Sequence, residues 1–380
     1  MKSIIVDSLV GNDYSTCLSN GFNPNDIKLY LVVPQNRKVV LKKNFEVIYL
    51  SPTKDKSKNK IVKLIEYLKY LFKLNNLIKN IAPDIIHYQF FRRKSEVLFY
   101  LYLKLRGKNL VFTAHNVLPH ENNIIDQLLK SIIYKTSSAI IAHSHYIKDK
   151  LIDNFKVESS KITIIPHGNF DHYIGLDVIS LQEARIKLNL SINDNVLLFF
   201  GYIRKYKGLD LLINAFNRSA IKDENLKLVI AGAPFNSQME IEYKKAINSS
   251  PFNDRIIFYC NYIPNNEVAK FFIASDLVVL PYKNIDHSGI IHLAYSFGKP
   301  VLATNVGDFN EIVENNKSGF ILEQNTEVEI AERIHEIFLD KARLYLIGQY
   351  ARKLSEDKYS WKDIALKTLT LYQTLRDNKF

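Results

Sequence analysis

Short apolar runs, each giving way to polar residues, recur along the first part of the chain at 3–7, 27–33, 47–50, 84–88, 110–114, 139–142 and 162–165. Runs of this length that are apolar throughout predict strands buried on both faces of a parallel sheet. Between 169 and 191 the series stops, the polarity is mixed, and only LQEARIKLNL (181–190) reads as a short helix. The series restarts at 195–200, 226–231, 255–259, 277–281 and 301–303. Two α/β halves in succession are expected, a pseudo-duplication with no other internal repeat. Residues 58–80 place Ile61, Leu64, Ile65, Leu68, Leu71 and Phe72 at intervals of three and four. That spacing predicts an amphipathic helix with this stripe laid on its own sheet and lysines on the outer face. Further helices are expected from Leu209, over 290–297, near Phe309, from Asn325 onward and at 359–375.

Polar residues gather where the expected strands end, and open α/β sheets bind ligands beyond the carboxyl ends of their strands. The densest such stretch is 286–314, DHSGIIHLAYSFGKPVLATNVGDFNEIVE. It reads as a polar turn, a helix, a Gly-Lys-Pro stop, a strand, a second glycine turn and another helix. Ser288 can cap the first helix with its hydroxyl, and Gly289 lets a ligand approach the free backbone N–H groups of the turn, where the helix dipole favours an anion. Arg204 and Lys207 leave an earlier strand end in GYIRKYKGLD. A planar fork and a point charge both suit a diphosphate. No GxxxxGK[ST] loop is present. In the first half His87 and His115 stand at strand ends, with Arg92, Arg93 and Lys94, then His120 and Glu121, in the loops that follow.

The pattern SG, apolar helix, GKPV, strand, G-x-x-x-E resembles the donor-site signature of GT-B fold glycosyltransferases of the retaining, bacterial-polysaccharide kind (glycosyl transferases group 1, family 4-like). FFGYIRKYKGLDLLINAF (199–216), VIAGAP (229–234), SDLVVLPY (275–282), HGN (167–169) and TAHNVLPHE (113–121) match at fitting distances. The resemblance implies two Rossmann-like domains with a cleft between them, 1–172 for the acceptor and 173–358 for a nucleoside-diphosphate sugar, and a final helix in 359–380 crossing back to the first. It turns His115 toward the donor sugar and Arg92, Arg93, His120 and Glu121 toward the acceptor. It gives Gly168 the close passage of backbone past the donor, sets the nucleotide base against Tyr262 and Ile263, and assigns Asp286, His287, Ser288, Gly289, Ile290 and Glu311 to the donor, with Arg204 and Lys207 on its diphosphate. Relatives often carry two glutamates eight positions apart in this stretch. Here those positions are Ile285 and Leu293, and Asp286 or His287 are the replacements at hand for the first. The implied activity is transfer of a hexosyl group, with retention, to a saccharide or lipid-linked saccharide in cell-surface polysaccharide synthesis. The missing carboxylates keep two alternatives in view, a non-catalytic sugar-nucleotide or polysaccharide-binding subunit and a nucleotide-sugar epimerase of the same fold.

Length and charge refine this picture. A chain of 380 residues that is 47% apolar exceeds one typical core and suggests two domains. Two distant cysteines, Cys17 and Cys260, and the short apolar start MKSIIVDSLVG point to the cytosol, and no stretch approaches the ~20 clean apolar residues of a membrane span. Residues 1–176 hold 26 Lys+Arg against 14 Asp+Glu, while the rest balances at 25 against 25, so the whole net charge of +12 lies in the first half. Such asymmetry suggests an anionic partner, and an anionic surface at the inner face of the membrane is the expected one. Nothing resembling a zinc finger or RNA-recognition signature speaks for nucleic acid. No two aspartates stand two residues apart and no His/Cys cluster has ligand spacing. Hence neither metal nor cofactor is expected, and charge on the leaving group falls to protein cations and helix N–H groups.

Overall fold

The computed structural model describes residues 1–9, 13–42, 45–51, 59–91, 94–117 and 124–377. The chain divides into two compact units, Met1–Gly168 with Ser360–Phe380, and Asn169–Tyr359.

Seven strands form the sheet of the first unit: β1 (Lys2–Asp7), β2 (Lys28–Val33), β3 (Glu46–Tyr49), β4 (Ile85–Phe90), β5 (Asn109–Ala114), β6 (Ala139–Ala142) and β7 (Ile162–Ile164). Their order is β3-β2-β1-β4-β5-β6-β7, with every pair parallel. The helices interleaved with them are α1 (Tyr14–Gly21), α2 (Lys60–Ile81), α3 (Glu96–Leu105), α4 (Ile124–Thr136) and α5 (His145–Phe155). Side chains alternate across the sheet. Ile4, Val6, Ile86, Phe112 and Ile140 join a core shared with α2, α3, α4 and α5. Ile5, Leu29, Leu31, Ile85, Val111 and Ile141 face the other way, onto α1 and the last helix, 361–377. The end of the chain thus completes the first unit.

One expectation is reversed here. The stripe Ile61, Leu64, Ile65, Leu68 and Phe72 of α2 points to solvent, and the helix packs on the sheet through Tyr67, Tyr70, Leu74, Ile78 and Ile81. Thirteen of its 22 residues are apolar or tyrosine, so two different stripes satisfy helical spacing. The tyrosine face wins because it buries the larger rings against the strands.

The second unit carries β8 (Asn195–Phe200), β9 (Leu226–Ala231), β10 (Ile256–Tyr259), β11 (Leu277–Leu280), β12 (Val301–Thr304) and β13 (Gly319–Leu322), in the parallel order β10-β9-β8-β11-β12-β13. Its helices are α6 (Leu181–Lys187), α7 (Leu209–Ala220), α8 (Ser237–Asn248), α9 (Val268–Ala274), α10 (Gly289–Ser296), α11 (Phe309–Ile312), α12 (Glu327–Phe338) and α13 (Lys341–Asp357), and α14 (Trp361–Asp377) then returns to the first unit. Two cores, one on each face of the sheet, hold the unit together. Strand order reverses between β8 and β11, because the chain runs outward from β8 to β10 and resumes on β8's other side. A parallel sheet opens a crevice at that switch point. Among the described residues no helix is long and apolar enough to cross a membrane.

Candidate functional site

The loops after β8 and β11 border the switch point of the second sheet, and most of the expected donor residues lie on them. After β8 the chain turns at Gly201 and forms a single 3-10 turn, Lys205–Lys207. Gly208 then sits at φ +69°, where a Cβ would meet the Pro281 carbonyl oxygen. This tight passage separates two neighbouring lysines: Lys205 stays in solvent while Lys207 is buried. The Lys207 ammonium lies 5.4 Å from the centre of the Tyr282 ring and 3.2 Å from where a Cβ on Gly201 would be, and Ile290 Cδ1 lies 3.5 Å from that same point. Lys207, the Gly201 backbone and the first turn of α10 therefore converge. Burial first, and then the neighbouring charge of Arg204, bring the Lys207 ammonium down to about 8. Arg204 stacks its guanidinium 3.9 Å above the Phe235 ring.

At the start of α10 the Ser288 hydroxyl accepts from the Ile290 N–H at 3.4 Å, so the cap forms as expected, with the helix beginning at Gly289. A Cβ on Gly289 would stand 3.2 Å from Phe170. Asp286 and His287 are buried. Ile285 and Leu293, where relatives carry glutamates, are core residues of this unit. Sequence reasoning missed a carboxylate nearby: Asp308, fully buried, accepts a hydrogen bond from Nδ1 of His287 at 2.7 Å. The signal was present in the glycine turn. Gly307 holds φ +60° and packs within 2.3 Å, at its absent Cβ, of the Ile285 carbonyl oxygen, which carries Asp308 back to residues 285–287. Asp308 stands at the N-cap of α11 without capping it, so its side chain serves His287. Glu311 lies in that short helix, partly exposed. Tyr262 and Ile263 follow β10. The Tyr262 ring is largely exposed, 6.4 Å from Tyr202.

In the first unit His115 follows β5. It stacks on Phe90 with ring centres 4.5 Å apart and meets Tyr14 edge-on at 4.7 Å. Its Nε2 contacts Gln89 Oε1 at 2.9 Å and its Nδ1 contacts His143 Nε2 at 3.2 Å. His143 in turn donates from Nδ1 to the Ile165 carbonyl. With the Gln89 oxygen toward His115, all these bonds are made only when the two rings share three protons, one more than two neutral imidazoles hold. His87 is enclosed by Tyr372, Thr113 and Gln89, and burial pushes it down to about 3, so it stays neutral. Gly168 has a structural reason of its own, since a Cβ there would stand 2.3 Å from the Trp361 indole of α14. Arg92, Arg93, His120 and Glu121 lie outside the described residues.

Residues 18–169 match the family described as Glycosyltransferase Family 4, and residues 181–354 the family described as Glycosyl transferases group 1. Together the two matches span both halves of the chain, which belongs to the group 1 glycosyltransferases in the GT-B fold. Among curated relatives it is 28% identical over 260 residues to the capsular polysaccharide biosynthesis glycosyltransferase CapM of Staphylococcus aureus, a match covering 65% of this chain and 64% of CapM, just under two thirds of that relative's length. Among solved structures, sucrose-phosphate synthase from Thermosynechococcus elongatus superposes with a TM-score of 0.78 at 16% identity, over 98% of this chain and 99% of the other. Anabaena HepE in complex with UDP-glucose gives 0.76 at 16% identity, over 98% and 99%. At these identities the structural likeness is one of fold.

Proposed function

We propose that the second unit binds a nucleoside-diphosphate sugar and that the enzyme transfers its hexosyl group, with retention and without a metal ion, to a saccharide or lipid-linked saccharide in cell-surface polysaccharide synthesis. The observation that carries this reading is the convergence of Lys207, the Gly201 backbone and the capped start of α10 at the switch point of the second sheet. A buried ammonium and the N–H groups and dipole at the start of α10 make a preorganised receptor for the charge that develops on a departing diphosphate. HepE, in complex with UDP-glucose, and CapM, named for capsular polysaccharide biosynthesis, support the substrate classes. By family likeness the bond from the anomeric carbon to the diphosphate oxygen breaks while the acceptor oxygen bonds the same face. The acceptor's proton then passes to the leaving diphosphate, so no side chain acts as general base. In this reading His115 orients the sugar, His287 with Asp308 takes the place of the first missing glutamate, Tyr262 and Ile263 hold the base, and the basic first unit works peripherally at an anionic membrane.

The test is nucleotide release from a panel of UDP, GDP, ADP and TDP sugars, with and without saccharide and lipid-linked acceptors. Thermal shift on the same panel identifies the donor first, because a ligand bound only by the native state raises apparent stability. Acceptor-dependent release with unchanged anomeric configuration is the expected result. Donor binding without release under any acceptor would assign a non-catalytic subunit, and interconversion of the donor an epimerase.

A further inference from the structure

The outer surface of α2, α3 and α4 is apolar in three successive stripes. On α2 these residues are Ile61, Leu64, Ile65, Leu68 and Phe72; on α3 they are Leu98, Tyr102 and Leu105; on α4 they are Ile124, Ile125, Leu128 and Ile132. Ile61, Leu98, Leu105 and Ile124 expose 69%, 70%, 87% and 75% of their surface. All three helices bury their other side in the same core, on the same face of the first sheet, so the stripes look outward together. With Val62 they make 13 of the 17 exposed large hydrophobic residues among the described residues of the first unit. Concentration of this kind on one face marks an interaction surface.

Charge selects the occupant. The first unit carries 30 basic against 15 acidic side chains and the second 21 against 24. Helix α2 alone has five lysines and one glutamate. Lys69 and Lys73 are exposed along the edge of its outer apolar stripe, and exposed Lys79 lies on the same face about two turns beyond Phe72. An apolar ridge edged by cations suits the headgroup boundary of an anionic bilayer, where apolar side chains enter the acyl region and ammonium groups stay among the phosphates.

We infer that α2, α3 and α4 form a membrane-insertion face, docked by apolar contact as well as by charge. This rests on the peripheral-membrane part of the proposed function and deepens it. Charge attraction alone vanishes at high salt, as the Debye length falls from ~10 Å at 0.1 M to ~3 Å at 1 M. Inserted leucine and phenylalanine side chains leave a component that survives.

Flotation of the full chain on vesicles of phosphatidylcholine, with and without phosphatidylglycerol, tests the inference. Three proteins are compared in low and high salt: wild type, Leu64→Gln/Leu68→Gln/Phe72→Gln, and Lys69→Gln/Lys73→Gln/Lys79→Gln. Unchanged thermal midpoints confirm that the variants fold. Wild type should float with the anionic vesicles and keep part of that binding in high salt. The apolar variant should lose the salt-resistant part, its partition coefficient falling by about tenfold or more. The lysine variant should lose the salt-sensitive part. Equal flotation on both vesicle types, no flotation, or binding abolished by salt in wild type would each overturn the inference. So would self-association that the apolar variant abolishes while flotation is absent, which would give the face to a second copy. Nucleotide release with a water-soluble acceptor should be unchanged in both variants, so failure here is separable from failure of the transferase reading.

Discussion

At the carboxyl edge of the second sheet the fold sets the charge state of Lys207. Burial, and then Arg204, hold its pKa at about 8, while the unfolded chain keeps the proton to ~10.4. Between those values the unfolded state binds more protons, so this lysine's contribution to stability rises with pH across that window, and its penalty is complete below the folded pKa. A bound diphosphate reverses the preference, because its charge favours the ammonium. Donor or nucleotide affinity should therefore be flat below about pH 8 and weaken by up to ~tenfold per pH unit above it, until the pKa of the complex is reached. Titration of nucleotide affinity against pH checks this, and Lys207→Arg should flatten the curve. Lys207→Ala should lower turnover by roughly 10², the range seen when one preorganised donor is removed. Near-normal turnover in that variant would end the assignment. A second residue-scale prediction concerns Asp308, whose carboxylate fixes the His287 tautomer so that Nε2 is the nitrogen left for other partners. Asp308→Asn should lower kcat/KM for the sugar donor by about tenfold or more, as expected when a buried charged bond worth ~1–3 kcal/mol is lost. Affinity for the free nucleoside diphosphate should stay within a factor of about two, a change too small to signal a lost bond. Parallel losses in both would give Asp308 a structural role.

At the scale of elements, the last helix is fitted to the first unit by absent side chains. A Cβ on Gly21 would stand 2.1 Å from the Trp361 carbonyl oxygen, and one on Gly168 2.3 Å from its indole. Gly168→Ala should therefore displace α14 and cost about 1–3 kcal/mol, seen as a lowered thermal midpoint. Gly289→Ala needs only a small shift of Phe170, 3.2 Å away, so it should spare the midpoint and weaken donor binding instead. An unchanged midpoint in Gly168→Ala would show that the helix does not need that space. The elements also show what a single sequence reveals. Strands β1 to β12 could be read because a strand covered on both faces requires a short run that is apolar throughout, and such runs are bounded here by polar turns. β13 hides inside GFIL, behind polar residues; α3 and α4 are apolar on their outer as well as their inner sides, which blurs the helical period, and α5 and α8 begin at Ser144 and Asn236 caps that only the structure makes evident. Helix α2 was legible as a helix and misleading as to its face, since either stripe satisfies the same period. At the site, Arg204, Lys207, Ser288 and Gly289 could be named from their place after strands. Burial of Lys207 beside exposed Lys205 depends on the Gly208 passage, and the His287 to Asp308 bond spans 21 residues; neither follows from local pattern.

For the whole molecule, two parallel sheets divide the charge unevenly between them. The second unit, nearly neutral, has a buried cation, a stacked guanidinium and a capped helix start on two neighbouring loops, and the first holds the basic excess. Metal-assisted transfer answers the leaving group's charge with a divalent ion held by a close carboxylate pair, and no two aspartates in this chain stand two residues apart. The positions at which relatives place glutamates near the donor are apolar and buried here, which leaves still fewer anionic ligands on that stretch. In the proposed function Lys207, Arg204 and the N–H groups at the start of α10 neutralise the diphosphate by themselves. Initial rates measured after exhaustive treatment with EDTA should match those of untreated enzyme, and added magnesium or manganese should leave them unchanged. The same assay on Lys207→Ala gives the sharper comparison: if the ammonium supplies the neutralising charge, magnesium should restore little of the lost turnover. Loss of wild-type activity on chelation, recovered by a divalent cation, would mean that the cations of this edge are not sufficient and that the metal-free mechanism is wrong.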